Sequence, residues 1–280
     1  MLASELRELA ATWLRERRAA VLVEVVGAQG SVPRGHGTRM IVAADVVAGT
    51  IGGGHLELKA IDEARTMLAA ARADAAPAER HYPLGPALGQ CCGGAVTLGF
   101  EPLAARRLDA WPTAEPHFHL QLYGAGHVGR AIARLLATLE VSVDWIDERE
   151  DEFPAALVDG GWPPHVRRVA VDAVEAEVRG APPGAFYLVL THRHDLDAKI
   201  TEAILRRGDF GFLGLIGSKT KRQRFIHRFE AIGIAPETIA RMTCPIGIAG
   251  IDGKEPEVIA VAVVAQLLAV RGAVKPPVAA

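Results

Sequence analysis

"FHLQLYGAGHVGRAIARLLATLE", residues 118–140, decides the fold of this 280-residue chain. It begins as a short apolar run and continues with Val128, Ile132, Leu135, Leu136 and Leu139 recurring on one helical face. Between the two parts Gly124, Gly126 and Gly129 spell G-x-G-x-x-G where a strand would turn into a helix, and Asp147 ends the next apolar run, "VSVDWID". A tight turn, a close approach of backbone to pyrophosphate, close helix-on-strand packing and an acid for a ribose hydroxyl need these residue types in this order. The pattern predicts a Rossmann architecture. The same glycines would also serve a bare strand-to-helix turn, so the fingerprint speaks to fold before function.

Downstream, "VRRVAV", "AFYLVL" and "FGFLGLIG" read as further apolar strands, with helices at about 197–207, 219–231 and 255–271. Short continuous apolar strands separated by helices mean a parallel sheet covered on both faces. Upstream, a first amphipathic helix carrying Leu6, Leu9 and Trp13 precedes β-branched runs punctuated by glycine and proline, then a helix from "LELKAIDEARTML" and strands around "HYPL" and "GAVTLGFEP". The expected class is α/β: a C-terminal Rossmann-like doubly wound parallel sheet, residues 118–280, preceded by a smaller α+β N-terminal domain, residues 1–104. Residues 105–117, rich in proline and without periodicity, read as the linker.

Composition removes several function classes. Half the residues are hydrophobic, enough for a real core, and 31 basic against 33 acidic residues leave a formal charge of -2, with no broad basic field for nucleic acid or an anionic membrane. Glutamates interrupt the N-terminal stretch where a secretion signal needs an apolar run, and "VIAVAVVAQLLAV" is too short to cross a bilayer and holds Gln266. A soluble, cytoplasmic protein is expected.

Chemistry gathers at four further places. "LGQCCGG", residues 88–94, sets Cys91 and Cys92 between glycines. Neighbouring cysteines close a strained ring if they bond to each other, and C-x-x-C spacing is absent. What remains is a thiolate offered from a turn stripped of side chains, suited to a soft metal or to carrying sulfur, or else one thiol buried as a small hydrophobe. "GSVPRGHGTRM" presents Ser31, Arg34 and Arg39, and "IGGGHLE" presents Gly52, Gly53 and Gly54 beside His55 and Glu57, loops that would cradle an anionic ligand or simply turn between strands. "LTHRHD" and "IGSKTKR" place Thr191, His192, His194 and Asp195, then Ser218, Lys219, Lys221 and Arg222, at the sheet edge where ligands bind. Ser218 and the lysines at a helix start would hold a phosphate; a solvated helix face backed by Phe225, Phe229 and Ile232 is the plainer reading. Asp195 would cap the helix that follows it.

Together, "GSVPRGHGTRM", "IGGGHLE", "LGQCCGG", "LYGAGHVGRAIARLL", "VDWIDERED", "THRHDLDAKI" and "GLIGSKTKRQRF" resemble, in order and over about residues 20–270, the XdhC/CoxI family of accessory proteins of xanthine dehydrogenase and related molybdenum hydroxylases. The resemblance implies a chaperone that carries the molybdenum cofactor as cargo, protects it while a cysteine desulfurase helps install the sulfido ligand, and delivers it to the xanthine dehydrogenase apoenzyme, often as a homodimer. It assigns Cys91 and Cys92 to molybdenum or sulfur relay, and Gly124, Gly126, Gly129, Ser218 and Lys219 to holding the pterin phosphate or a nucleotide; Asp147, Gly53 and Gly54 join them as cofactor-binding candidates on their own patterns. The rival is an NAD(P)-dependent oxidoreductase using the fingerprint conventionally, with His192 or His194 as proton donor and Cys91 as an active-site thiol.

Overall fold

The computed structural model describes residues 1–70, 77–85, 93–106, 108, 111, 115–159 and 161–274. The chain divides into two units, Met1–Ala114 and Glu115–Ala280, each built on its own sheet.

The first unit contains α1 (Ala3–Arg15), β1 (Ala20–Gln29), β2 (Arg39–Ala43), β3 (Val47–Gly49), α2 (Gly54–Ala69), β4 (Ala78–Pro83) and β5 (Ala95–Pro102). The strands pair antiparallel in the order β3-β2-β1-β5-β4. Successive strand side chains point to opposite faces, which explains why β1 is apolar nearly throughout. Val21, Val23 and Val25 pack with Leu56, Ala60 and Ala64 of α2, whereas Ala20 and Leu22 pack with Leu6, Ala10 and Trp13 of α1. A helix therefore covers each face of the sheet.

The second unit runs β6 (His119–Tyr123), α3 (His127–Leu136), β7 (Ser142–Asp147), β8 (Val166–Ala170), β9 (Phe186–Val189), α4 (His194–Arg207), β10 (Phe212–Leu215), α5 (Lys219–Ala231), α6 (Pro236–Ala240), β11 (Met242–Thr243) and α7 (Pro256–Val274). All its strands are parallel, in the order β11-β10-β9-β6-β7-β8. The chain starts at the centre with β6, moves outward through β7 to β8, then crosses to the other side of β6 at β9. That reversal between β6 and β9 is the switch point at which doubly wound sheets bind ligands. Leu120, Leu122 and Leu188 share a core with α3 and α7, while Tyr123, Tyr187, Val189, Leu213 and Leu215 share one with α4 and α5. Both faces are covered, as the continuous apolar strands require.

The expected α/β class, the Rossmann-like sheet and the smaller sheet before it are all present. Some boundaries differ. Helix α4 starts at His194 because extended Arg193 is its N-cap, and Asp195, expected as the cap, lies in the first turn 3.2 Å from the Arg193 guanidinium. Ile232 is 38 % exposed, because α5 ends before it and Gly233, at φ +80°, turns the chain away. Among the described residues no helix is long and apolar enough to cross a membrane.

Candidate functional site

The fingerprint turn leads from β6 into α3, and its three glycines do three separate things. Gly124, at φ +118°, passes so close to β9 that a Cβ would stand 2.4 Å from the Leu190 carbonyl oxygen. At Gly129 a Cβ would stand 2.0 Å from the Gly124 oxygen, so only glycine lets α3 lie against the turn. Gly126 is different: a Cβ there would meet nothing within 4 Å, and as N-cap of α3 it supplies no side chain to the first amides. The helix start is thus left uncovered where an anion would approach. Trp145 of β7 fixes the turn from below, its Nε1 donating to the Gly124 carbonyl at 2.9 Å.

Asp147 ends β7 beside this turn and is 4 % exposed. Its Oδ2 accepts from the Ala125 N–H at 2.6 Å and from a terminal nitrogen of Arg149 at 3.0 Å; its Oδ1 accepts from the Arg149 N–H at 2.9 Å and Nε at 3.0 Å. A carboxylate offers about four acceptor positions, and all are taken. Burial pushes the Asp147 carboxyl up, but the bonds from Arg149 and Ala125 outweigh it and hold the group below the usual carboxylate range.

On the other side of the switch point, a pocket of about 240 Å³ lies between the ends of β9 and β10, lined by Thr191, His192, His194, Asp197, Ser218 and Lys221 among others. Asp197, 1 % exposed, is its buried anchor. Its Oδ1 accepts from the Thr191 N–H at 3.0 Å and hydroxyl at 2.7 Å, and its Oδ2 from the Lys221 ammonium at 2.5 Å. Lys221 also donates to the Ile216 carbonyl at 2.8 Å. This lysine, expected on a solvated or phosphate-holding face, instead ties the start of α5 to α4. Ser218 caps α5 by accepting from the Lys221 N–H at 3.2 Å, and Lys219 beside it is exposed. His192 lies 3.6 Å from Glu148. Cys244 is buried among apolar residues beneath Ser218, and burial raises its thiol above the usual range.

In the first unit, Gly52, Gly53 and Gly54 all adopt positive φ. Their loop closes on a residue of the chain itself: Glu57, one turn into α2, accepts from the N–H groups of Ile51 and Gly53 at 3.1 Å each and from the Thr50 hydroxyl at 2.5 Å. Gly52 and Gly94 both lie against the stretch that ends β1 and follows it. A Cβ on Gly52 would lie 2.8 Å from Pro33, and one on Gly94 would lie 2.4 Å from the carbonyl oxygens of Gln29 and Ser31. Cys91 and Cys92 lie outside the described residues. Among the described residues no group of three or more His, Cys, Asp or Glu could hold a metal ion.

Sequence reading found the fingerprint, Ser218 and the glycine loops with Glu57, but missed Arg149, the closure of the glycine loop onto Glu57, and the Asp197–Lys221 pair. Arg149 stands two residues from Asp147, so local spacing held a signal. The pair is joined only by strand order.

Comparison with known proteins places this architecture. Residues 120–267 match the model of the XdhC Rossmann domain, and residues 13–82 match that of the XdhC and CoxI family. The chain belongs to the XdhC/CoxI family. It is similar to YqeB of Escherichia coli K12, 31 % identical over 255 residues, which cover 89 % of this chain and 43 % of that protein; the chain thus spans about two fifths of the length of this curated relative. A crystal structure from Bacillus halodurans, described as a xanthine dehydrogenase, superposes with a TM-score of 0.75 at 19 % identity, over 98 % of this chain and 97 % of that one, and shows the same fold. The XdhC Rossmann match contains Gly124, Gly126, Gly129, Asp147, Ser218 and Lys219, and the XdhC and CoxI match contains Gly53 and Gly54.

Proposed function

We propose that this chain is an accessory protein of a xanthine dehydrogenase-type molybdenum enzyme. It carries the molybdenum cofactor as cargo, shields it while a cysteine desulfurase supplies sulfur, and passes it to the apoenzyme, acting as a homodimer. Membership of one chain in the XdhC/CoxI family through both of its units carries this reading.

The uncovered start of α3 at Gly126 suits the phosphate end of such a cargo, since free helix amides favour negative charge. Exposed Lys219 at the start of α5 supplies a cation at the same edge of the sheet. Cys91 and Cys92 offer the soft donors that molybdenum or a persulfide needs. The saturated carboxylate of Asp147 favours this reading over a dinucleotide-dependent oxidoreductase, because no acceptor position is left for a ribose hydroxyl. When bound, the cargo supplies any redox chemistry; the chain's own groups hold it and keep water away.

Deleting the chain in its native host tests the reading. Xanthine dehydrogenase polypeptide should persist at normal level with its activity lost, and return of the wild-type chain should restore activity. Full dehydrogenase activity without the chain, or NADH-dependent reduction of a small substrate by the purified chain, would contradict it.

A further inference from the structure

A second pocket, of about 320 Å³, opens in the first unit against the loop of residues 34–38. Arg34, His36 and Arg39 line it together with Thr38, Thr50 and Trp111, and no aspartate or glutamate is among its lining residues. Arg39 is fixed in place: it pairs with Glu24 at 2.6 Å and its guanidinium lies 5.1 Å from the centre of the Trp111 ring. Arg34 and His36 are exposed and have no ion-pair or hydrogen-bond partner among the described residues. Glycine alternates with these side chains. A Cβ on Gly35 or Gly37 would meet nothing within 4 Å, so the space between the basic groups is open, and Gly37 holds φ +82°. The loop itself is pinned, with the Gly37 N–H donating to the Val25 carbonyl and the Thr38 hydroxyl to the Gly35 carbonyl, each at 2.8 Å. Ser31, grouped with Arg34 and Arg39 in the sequence, does not line the pocket.

We infer that this pocket is an anion site that takes a phosphoryl group, a phosphate monoester or a diphosphate. With Arg39 of β2 paired to Glu24, Arg34 on the pinned loop is left, among the described residues, as an unpaired positive charge, with His36 beside it, in a chain whose overall charge is -2. Guanidinium forks match phosphate oxygens. The site is built from residues of the first unit alone and does not depend on the cofactor reading.

Calorimetric titration of the full chain with inorganic pyrophosphate tests it. The wild type should bind, and the Arg34→Ala/His36→Ala variant should bind at least about tenfold more weakly with an unchanged melting temperature. No binding by the wild type, or equal affinity in the double variant, would overturn the inference. Repeating the titration on chain loaded with molybdenum cofactor identifies the source of the phosphoryl group. Loss of pyrophosphate binding assigns the pocket to the cargo's own phosphate, and retained binding assigns it to a separate phosphorylated small molecule. A chain that takes up no cofactor would remove the proposed function while leaving the pyrophosphate result intact.

Discussion

Gly126 and Gly129 belong to one fingerprint and lie three residues apart, yet alanine should do opposite things at the two positions. At Gly129 the added carbon collides with backbone, as it does at Gly124, and thermal or urea melts of Gly129→Ala should show a loss of about 2–4 kcal/mol. At Gly126 the carbon meets nothing and φ is -68°, so Gly126→Ala should cost no more than about 1 kcal/mol while weakening any ligand that approaches the α3 amides. A second contrast lies in α5. Lys221→Met would leave the Asp197 carboxylate buried without its cation and should cost about 3–5 kcal/mol in urea melts, whereas Lys219→Met, on an exposed side chain, should stay within about 0.5 kcal/mol. Asp144 of β7 provides a pH signature. Burial raises its carboxyl, but hydrogen bonds from His119 and Arg167 prevail and hold it at about 2. A depressed folded value stabilises above the unfolded value of about 4 and is lost as pH falls toward the folded one. Asp144→Asn should therefore be less stable by about 2 kcal/mol at pH 7, the gap closing between about pH 4 and pH 2.

At the scale of elements, the start of α2 is held by a residue inside the helix. Gly53 is its N-cap and has no side chain to offer, so the Glu57 carboxylate reaches back to the Ile51 and Gly53 amides. Glu57→Gln keeps one acceptor oxygen but loses the charge, and should lower stability by about 1–2 kcal/mol, read from chemical denaturation. The sequence made most elements legible, because strand and helix periods change at glycine and proline: β6, α3, β7, β9, β10 and α5 lie where their patterns put them. It did not mark α6, too short to show a period, or β11, two residues paired only with β10. The site was half legible for a similar reason. Gly124, Gly126 and Gly129 announce themselves by spacing, whereas Asp197 and Lys221 are 24 residues apart and meet only because β9 and β10 are neighbours. Nor does a sequence show that Asp147 and Glu57 are already occupied by the chain's own donors.

For the whole molecule, the account rests on an XdhC/CoxI chain whose two units each offer a place for negative charge, at the α3 start and beside Arg34, with a thiol pair in the sequence between the two family matches. Such a molecule should retain its cargo through purification and lose it without its thiols. Molybdenum and pterin content of the chain, purified from cells that make the cofactor, is the most direct measurement. The account predicts close to one molybdenum per chain in the wild type and almost none in the Cys91→Ala/Cys92→Ala variant, with equal melting temperatures for the metal-free proteins. Wild-type chain free of molybdenum and pterin, or a double variant that retains both at the wild-type level, would contradict it.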